Sequence, residues 1–336
     1  MGLKLPLAKI GFFLFGLAGF VYLVLHFGVD QIAANIRQAG WSLCYVVLVW
    51  LVVYLLNASA WTLTLGAGGW KIPFLRLFIL TVSGFAINYV TPFVALGGEP
   101  YRVKALSPLL GTQQSISAVI LYRMVHLLGH MLVLLSGIVV ALAVLPLPVT
   151  LVALLAFAGL LICCVIVLTV LGHRYGFFTR VQSWLAKTPL LRRLAGLLGK
   201  YESQLVEMDR RITAPYHHAR PRLVLAVALE SLSRICMGIE VYFIVRGIGI
   251  EISLPEALFL YIVYSIIINL LFFIPLNFGA REGGLALGMG SLALPPLLGV
   301  YMGVVMRIRE FFWIMLGLLF ILLSGHPKKA SPVAPV

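Results

Sequence analysis

The chain has 336 residues, of which 62% are hydrophobic and only 11% are charged. A soluble domain of this size needs more charged residues on its surface, so the composition excludes a soluble enzyme and a free nucleic-acid-binding protein. The formal net charge is +14, and ten of the 25 Lys and Arg residues lie in the loop at 173–222. Basic loops of this kind are typical of the cytoplasmic side of a membrane protein, so the charge does not require a nucleic-acid partner.

Eight apolar segments follow one another along the chain, and many have the length of a membrane-spanning helix. They lie at 10–28, 41–65, 74–91, 115–145, 148–172, 221–247, 256–275 and 297–324. We therefore predict an all-α polytopic membrane protein. The first segment lacks a small-residue cleavage site, which favours a retained span over a signal peptide.

Two junctions between these segments are rich in Pro and Gly and carry a glutamate: PFVALGGEPYR at 92–102 and PLNFGAREG at 275–283. Proline removes a backbone donor and glycine permits tight turns, so both junctions are predicted to be helix breaks beside a polar cavity. The residues predicted to form the breaks are Asn88, Pro92, Gly97, Gly98, Pro275 and Gly279.

The two junctions occupy equivalent places in two halves of the chain, which predicts an internal repeat over about 41–145 and 221–325. Pro275 follows Pro92 by 183 positions, and Glu282 follows Glu99 by the same number. Arg307 follows Arg123 by 184 positions.

The charge distribution distinguishes two topologies. If 74–91 and 256–275 cross the bilayer fully, there are eight spans, and lysines near both termini lie on the outer side. If 74–110 and 256–293 are re-entrant hairpins, about six full spans remain and both termini are cytoplasmic. The positive-inside rule favours the second topology, in which the hairpins enter from opposite sides and the repeat is inverted.

The sequence predicts one integral membrane domain over 1–325. Its basic loop at 173–220 has helical spacing of apolar residues from Leu191 to Ile212, with Pro189 at the start, and is predicted to be amphipathic and to lie on the cytoplasmic membrane surface. The tail at 326–336 is predicted to be disordered.

Charged side chains inside apolar segments are costly, so they mark functional sites or structural ion pairs. Arginines suit a phosphate group, and the glutamates suit an amine, an arginine or a proton. The alternative for the two junction glutamates is a turn that faces water. The primary candidates for binding a substrate are Glu99, Arg102, Arg123, Arg281, Glu282 and Arg307.

A second group of candidates is His126, His130, Glu230, Arg234 and Glu310. Glu230 and Arg234 are four positions apart, and Arg307 and Glu310 are three apart, so each pair can neutralise itself on its own helix or contact substrate. The two histidines in HLLGH form half a metal site but lack the Glu of HExxH, so no metal is predicted.

The stretch NYVTPFVALGGEPYR resembles the first signature of the lysylphosphatidylglycerol synthase transmembrane-region family of flippase-like membrane proteins. Asn88, Pro92, Gly98, Glu99 and Arg102 occupy the positions of that signature.

Two further stretches are similar to the same family. LYRMVHLL resembles its next helix through Arg123, although Tyr122 and His126 stand where the family usually has acidic residues. PLNFGAREGG resembles the second signature, and Arg307 fits the arginine of the last helix. The resemblance implies transbilayer movement of lipids such as aminoacylated phosphatidylglycerol, or a part in hopanoid or polyprenyl-phosphate-sugar pathways.

Three functions remain open from the sequence. The first is a flippase or translocase that moves a phospholipid or a lipid-linked substrate, of polyprenyl-phosphate or hopanoid type, across the inner (plasma) membrane. The second is an integral-membrane enzyme or accessory subunit of lipid or lipid-linked glycan synthesis, with Glu99 or His126 as base. The third is a scaffold for lipid-synthesis enzymes. No nucleotide or nucleophile motif occurs, so no cofactor is predicted and a transporter is favoured.

Overall fold

The computed structural model describes residues 25, 29–65, 72–90, 97–176, 178–188 and 202–323, and all regular structure in these ranges is helical. Twelve α-helices lie in them: α1 (Val29–Ala39), α2 (Ser42–Thr64), α3 (Phe74–Val90), α4 (Gly98–Leu110), α5 (Thr112–Val144), α6 (Val149–Tyr175), α7 (Phe178–Lys187), α8 (Glu202–His218), α9 (Arg220–Gly247), α10 (Leu254–Leu270), α11 (Ala280–Ser291) and α12 (Leu297–Leu323).

Three of these helices, α2, α5 and α6, are long and apolar enough to cross a membrane. The helices α3 and α10 are apolar but have only 17 residues each. The helices α9 and α12 have 28 and 27 residues, but each carries several charges within its apolar sequence. The predicted span at 10–28 lies outside the described residues, apart from Leu25.

The helices of the two halves follow the same order and make corresponding contacts. The order is α2, α3, α4, α5 in the first half and α9, α10, α11, α12 in the second. The helix α2 packs along α9, α3 packs against α12, and α10 packs against α5. Within each half, the short third helix packs against the long fourth helix: α4 packs against α5, and α11 packs against α12.

The apolar core lies where these two sets of helices meet. Val53 of α2, Val241 of α9, Tyr261 of α10 and Val305 of α12 are each almost completely buried. Helix association within a bilayer depends on close packing rather than on the release of water. The contact between α3 and α12 illustrates this, because a Cβ at Gly317 would lie 2.8 Å from the Val82 carbonyl oxygen.

The helix α6 lies at the edge of the bundle and exposes large apolar side chains. Leu154, Phe157, Leu160 and Leu168 are all more than half exposed. A surface patch of this kind on a long apolar helix is explained by contact with lipid chains. Cys163 and Cys164 lie on the same helix and are free thiols.

The described part of the predicted amphipathic segment is α8. Its residues Leu205 and Ile212 are buried, and the helix packs against α5, α6 and α7. The Asp209 carboxylate accepts hydrogen bonds from the Thr179 backbone N–H at 2.8 Å and hydroxyl at 2.7 Å, which fixes the start of α7. The start predicted at Pro189, and the tail at 326–336, lie outside the described residues.

Candidate functional site

The second junction forms a helix break between α10 and α11. A short 3₁₀ turn at Pro275–Asn277 follows α10. The backbone is left-handed at Leu276 (φ 58°), Asn277 (φ 51°) and Gly279 (φ 74°), which ends any helical continuation before α11 begins.

Glu282 and Arg307 hold this break together. The Glu282 side chain has no exposed surface, and its Oε2 accepts a hydrogen bond from the Gly279 N–H at 3.0 Å. Its Oε1 accepts from Arg307 at 2.9 Å (Nε) and lies 2.8 Å from the terminal nitrogen. Arg307 also donates to the Leu276 carbonyl at 3.3 Å and stacks over the Phe278 ring. Both side chains therefore fix irregular backbone, a requirement at membrane depth.

The first junction is described only at its ends, because 91–96, including Pro92, lie outside the described residues. The helix α4 begins at Gly98, whose N–H donates to the Asn88 side-chain oxygen at 2.6 Å. A Cβ at Gly98 would lie 2.3 Å from the Gly84 carbonyl oxygen, so only glycine permits this contact. Gly97 precedes α4 and places Glu99 in its first turn, where the helix dipole favours a negative charge.

Glu99 lies between two arginines without a hydrogen bond to either. Its Oε1 is 3.4 Å from Arg123 Nε and 3.8 Å from Arg102 Nη1. Both carboxylate oxygens are shielded from solvent and have no hydrogen-bond partner in the described part of the chain. The Glu99 side chain is 16% exposed and that of Arg123 is 43% exposed. This ion pair is consequently looser than the equivalent pair of Glu282 and Arg307.

Arg102, one of the residues predicted to bind a substrate, packs against aromatic rings. Its side chain is buried, with the guanidinium 5.2 Å from the Trp61 ring and 5.8 Å from the Tyr122 ring. It also donates to the Thr81 carbonyl at 3.3 Å. These contacts place Arg102 in the packing between α2, α3, α4 and α5, from which it supports Glu99.

An apolar groove lies between α4 and α5 and has a volume of about 770 Å³. Its walls are mostly aliphatic, with Val103, Ile116 and Ile120 among them, and Glu99 and Arg123 are among its polar residues. A groove of this size and character suits a hydrocarbon chain whose polar end reaches the charged residues.

A second, polar cavity of about 330 Å³ lies between the two halves and is called the central cavity. Helices α2, α5, α9, α10, α11 and α12 all contribute to its lining. Arg123 and Leu127 line both the apolar groove and the central cavity. The charged and other titratable or amide residues of its lining are Arg123, His126, His130, Arg234, Tyr261, Tyr264, Asn269, Arg281, Arg309 and Glu310.

The charges on the α11–α12 side of the central cavity are paired. Arg281 lies 2.7 Å from the Glu310 carboxylate, which also accepts a hydrogen bond from Tyr89. Arg309 lies 2.9 Å from the Glu240 carboxylate and 3.8 Å from Glu310. Each side chain of these ion pairs is at most 7% exposed. Such pairs persist in a low-dielectric interior only when both partners are present.

Sequence reasoning did not place Arg309, Glu240 or Trp50 in the site. The Trp50 ring lies 3.8 Å from the Arg309 guanidinium, and its Nε1–H donates to Glu240 at 2.8 Å. The signal for the two charged residues was present, because both interrupt apolar helices. Trp50 carries no such signal, and only the packing of α2 against α9 brings it to the cavity.

The charges on the α5–α9 side are paired between helices and not within one helix. His126 Nδ1 lies 2.8 Å from the Glu230 carboxylate, and Arg234 contacts the His126 ring. Glu230 and Arg234 of α9 thus each contact His126 of α5 rather than forming the predicted pair with each other. Arg307 likewise pairs with Glu282 in place of Glu310.

His130 takes part in a separate hydrogen-bonded group. Its ring nitrogens lie 3.3 Å from the Tyr261 hydroxyl and 3.2 Å from the Asn269 amide. The Asn269 amide also donates to the Ser265 carbonyl at 2.7 Å. In the ranges that the structure covers, no three His, Cys, Asp or Glu side chains are grouped closely enough to hold a metal ion.

The predicted site residues therefore fall into three places. Arg123, Arg281 and all the secondary candidates except Glu230 line the central cavity, and Glu99 lines the apolar groove. Arg102, Glu282 and Arg307 line neither of these two cavities and instead support the helix junctions.

Comparison with known proteins identifies the family of the chain. Searches of curated proteins and of solved structures find no match. Residues 7–317 match the family described as "Lysylphosphatidylglycerol synthase TM region". That match covers nearly the whole chain, so the protein belongs to the lysylphosphatidylglycerol synthase transmembrane-region family and is a membrane protein of lipid metabolism or transport.

Proposed function

We propose that the protein is a lipid flippase or translocase of the inner (plasma) membrane. The headgroup of a phospholipid, or of a polyprenyl-phosphate or hopanoid-type lipid, passes through the central cavity while its hydrocarbon chains stay in the bilayer or the apolar groove. The observation that carries this proposal is that the two spaces are adjacent, because Arg123 and Leu127 line both. A lipid is the class of molecule that needs an apolar and a charged compartment side by side.

The charges of the central cavity support a phosphate-bearing headgroup. Four arginines, Arg123, Arg234, Arg281 and Arg309, line it together with one carboxylate, that of Glu310. Of the other carboxylates that pair with its lining, those of Glu230 and Glu240 have no exposed surface, and that of Glu99 lines the apolar groove. The lining therefore presents donors that match phosphate oxygens.

The corresponding contacts of the two halves support an inverted repeat. In this proposal about six helices span the membrane, the 74–110 and 256–293 segments are re-entrant hairpins, and both termini are cytoplasmic. The packing of α3 against α12 and of α10 against α5 is what a pseudo-two-fold axis in the membrane plane would produce.

The two equivalent ion pairs support alternating access. In the proposed cycle, one of the pairs Glu99–Arg123 and Glu282–Arg307 is closed while the other is open. The pair at Glu282 is tight, at 2.8 Å, and the pair at Glu99 is loose, at 3.4 Å, so the groove side is the open side in this conformation. A headgroup phosphate entering along the groove would meet the partly exposed Arg123 first.

Transport in proteoliposomes tests this proposal. The panel of headgroup-labelled lipids contains amino-lipids, anionic phospholipids and polyprenyl phosphates, and each is measured with the wild type and with Glu99→Gln. Glu251→Gln is the matched control, because it makes the same chemical change at a 93% exposed carboxylate. We expect Glu99→Gln to abolish movement of one lipid class and Glu251→Gln to preserve it. No movement of any class by folded wild type, or equal rates in both variants, would contradict the proposal.

One observation favours a second function, an integral-membrane enzyme that acts on a lipid-linked substrate. Glu230 is fully buried and orients the ring of His126, which lines the central cavity, an arrangement found in general bases. Covalent turnover of a lipid by the purified protein, lost in His126→Gln, would establish this function. Partnership with lipid-synthesis enzymes would follow from it.

A further inference from the structure

The geometry around His126 defines where its proton lies. Nδ1 is 2.8 Å from the Glu230 carboxylate, which is an acceptor, so Nδ1 carries the hydrogen and donates it. On the other side, Nε2 contacts the Arg234 guanidinium. A guanidinium has donors only, so Nε2 presents its lone pair and the imidazole is neutral in this arrangement.

Arg234 differs from Arg281 and Arg309 of the same cavity in how it is held. Arg281 and Arg309 each have a carboxylate within 2.9 Å. In the described ranges Arg234 has no such ion pair; it contacts the His126 ring, the Met237 sulfur at 3.5 Å and the Tyr261 hydroxyl. Its Nε is shielded from solvent and makes no hydrogen bond within the same ranges. A half-buried guanidinium with an unused donor is ready to bind an anion.

These contacts link an anion and a proton through one side chain. When a phosphate in the cavity draws Arg234 away, Nε2 of His126 loses its donor and faces the cavity. Its lone pair can then accept a proton from cavity water, and the Glu230 carboxylate stabilises the imidazolium. When the phosphate leaves, Arg234 returns, and the proton goes back to water.

We propose that His126 and Glu230 form a proton-binding site that Arg234 couples to the binding of an anionic lipid headgroup, so that transport is driven by a proton gradient. The proposal rests on the proposed translocase function and adds its energy source. Because the coupling is reciprocal, the phosphate promotes protonation of His126 and the proton promotes retention of the phosphate.

Other charged and titratable groups also face this site, and they set its electrostatic surroundings. Arg123, Tyr122 and His130 lie on α5 with His126, and Tyr261 lies on α10 across the cavity. Their charges do not change in the cycle proposed here. The remaining charged groups that line the cavity from α11 and α12 are Arg281, Arg309 and Glu310.

Binding-linked proton uptake is the first measurement, because it does not need transport. Purified protein is titrated with phosphatidylglycerol, a polyprenyl phosphate or zwitterionic phosphatidylcholine in buffers of different ionisation enthalpy. The buffer dependence of the binding heat gives the number of protons taken up. We expect about one proton per anionic lipid bound by the wild type and none with phosphatidylcholine. Inorganic phosphate is the probe that distinguishes a lipid headgroup from a free anion.

Two variants assign the proton to its site. His126→Gln retains an amide donor for Glu230 but cannot take up a proton, so we expect loss of the uptake with anionic lipid still bound. Glu251→Gln, which changes a 93% exposed carboxylate away from the cavity, is the control and is expected to retain the uptake. Uptake that is absent in the wild type, or preserved in His126→Gln, would overturn the proposal.

Transport under a pH gradient then separates this inference from the proposed function. In proteoliposomes the wild type is expected to move the anionic lipid faster in one gradient direction and to lose that difference with a protonophore. His126→Gln is expected to show no gradient effect. Lipid movement without any gradient effect overturns the proton site and leaves the translocase intact. Proton uptake on binding without lipid movement supports the proton site and refutes the translocase.

Discussion

Neutralising the two equivalent junction glutamates should have unequal consequences for stability. Glu282 has no exposed surface, and its two oxygens accept hydrogen bonds from Arg307 and from the Gly279 N–H. Glu99 is 16% exposed, lies 3.4 Å from Arg123 and makes no hydrogen bond within the described ranges. We therefore predict that Glu282→Gln destabilises the protein and that Glu99→Gln leaves its stability almost unchanged.

The magnitudes follow from the burial of each pair. Removing one partner of a buried ion pair costs about 3–5 kcal/mol in soluble proteins, because the other charge is left unpaired. Polar contacts between helices in a bilayer are worth less, about 0.6–2 kcal/mol. Arg307 is 16% exposed, so we expect about 2–3 kcal/mol for Glu282→Gln. The partly exposed pair at Glu99 should cost less than about 1 kcal/mol.

The assay is reversible unfolding of the purified protein in mixed micelles, with the free energy of unfolding compared between variants. Combining Glu282→Gln with Arg307→Gln completes a double-mutant cycle, and we expect a coupling energy above about 1 kcal/mol. The same cycle for Glu99 and Arg123 should give a value near zero. Equal destabilisation by the two glutamine variants, or no coupling at Glu282, would refute the assignment of a structural lock to that pair.

Three further predictions address packing, buried charge and topology. Gly98→Ala should destabilise the protein by about 1–3 kcal/mol because its Cβ has no space, whereas Gly283→Ala, whose Cβ meets nothing within 4 Å, should not; unfolding measurements compare them. Arg309→Met should lower the free energy of unfolding by about 2–4 kcal/mol, because it leaves the Glu240 carboxylate buried without its cation. Replacing both Arg309 and Glu240 with apolar residues should recover most of that loss. In a background without native cysteines, Glu251→Cys should react with an impermeant thiol reagent from outside and Leu109→Cys from inside; any other pattern contradicts the inverted repeat.

The sequence was informative where a single residue type limits the backbone conformation around it, and where residues recur at matching positions in the two halves. Glycine and proline at 275–279 predicted an interruption of helix, and the backbone there is left-handed at three positions. Equal spacing predicted that Glu99 corresponds to Glu282 and Arg123 to Arg307, and each of these glutamates has the corresponding arginine as an ion partner. These inferences needed only chain order and the conformational limits of single residues.

The partners of the other buried charges depend on how helices rotate and cross, which chain order does not determine. Glu230 is 104 positions from His126, and its spacing from Arg234 also permits a pair on its own helix, so only the packing of α9 against α5 decides its partner. The cost of burying a charge predicts that each must have a partner, but not which one. The same limit applies to Arg102, whose position over the Trp61 ring follows from the packing of α4 against α2 and not from chain order.

The unequal ion pairs also bear on what drives a transport cycle. If both halves of an inverted repeat had equally tight pairs, both sides of the cavity would be closed and no headgroup could enter. A difference of about 2 kcal/mol between the pairs favours one open side by more than tenfold, and a ligand can reverse that preference only by binding the other conformation better by at least the same amount. A phosphate that engages Arg123 competes with Glu99 for it, whereas Arg307 is held by Glu282 and the Leu276 carbonyl. In the proposed cycle, the substrate would therefore act on the loose pair, and the tight pair would set the free energy that binding, together with any coupled ion, must overcome.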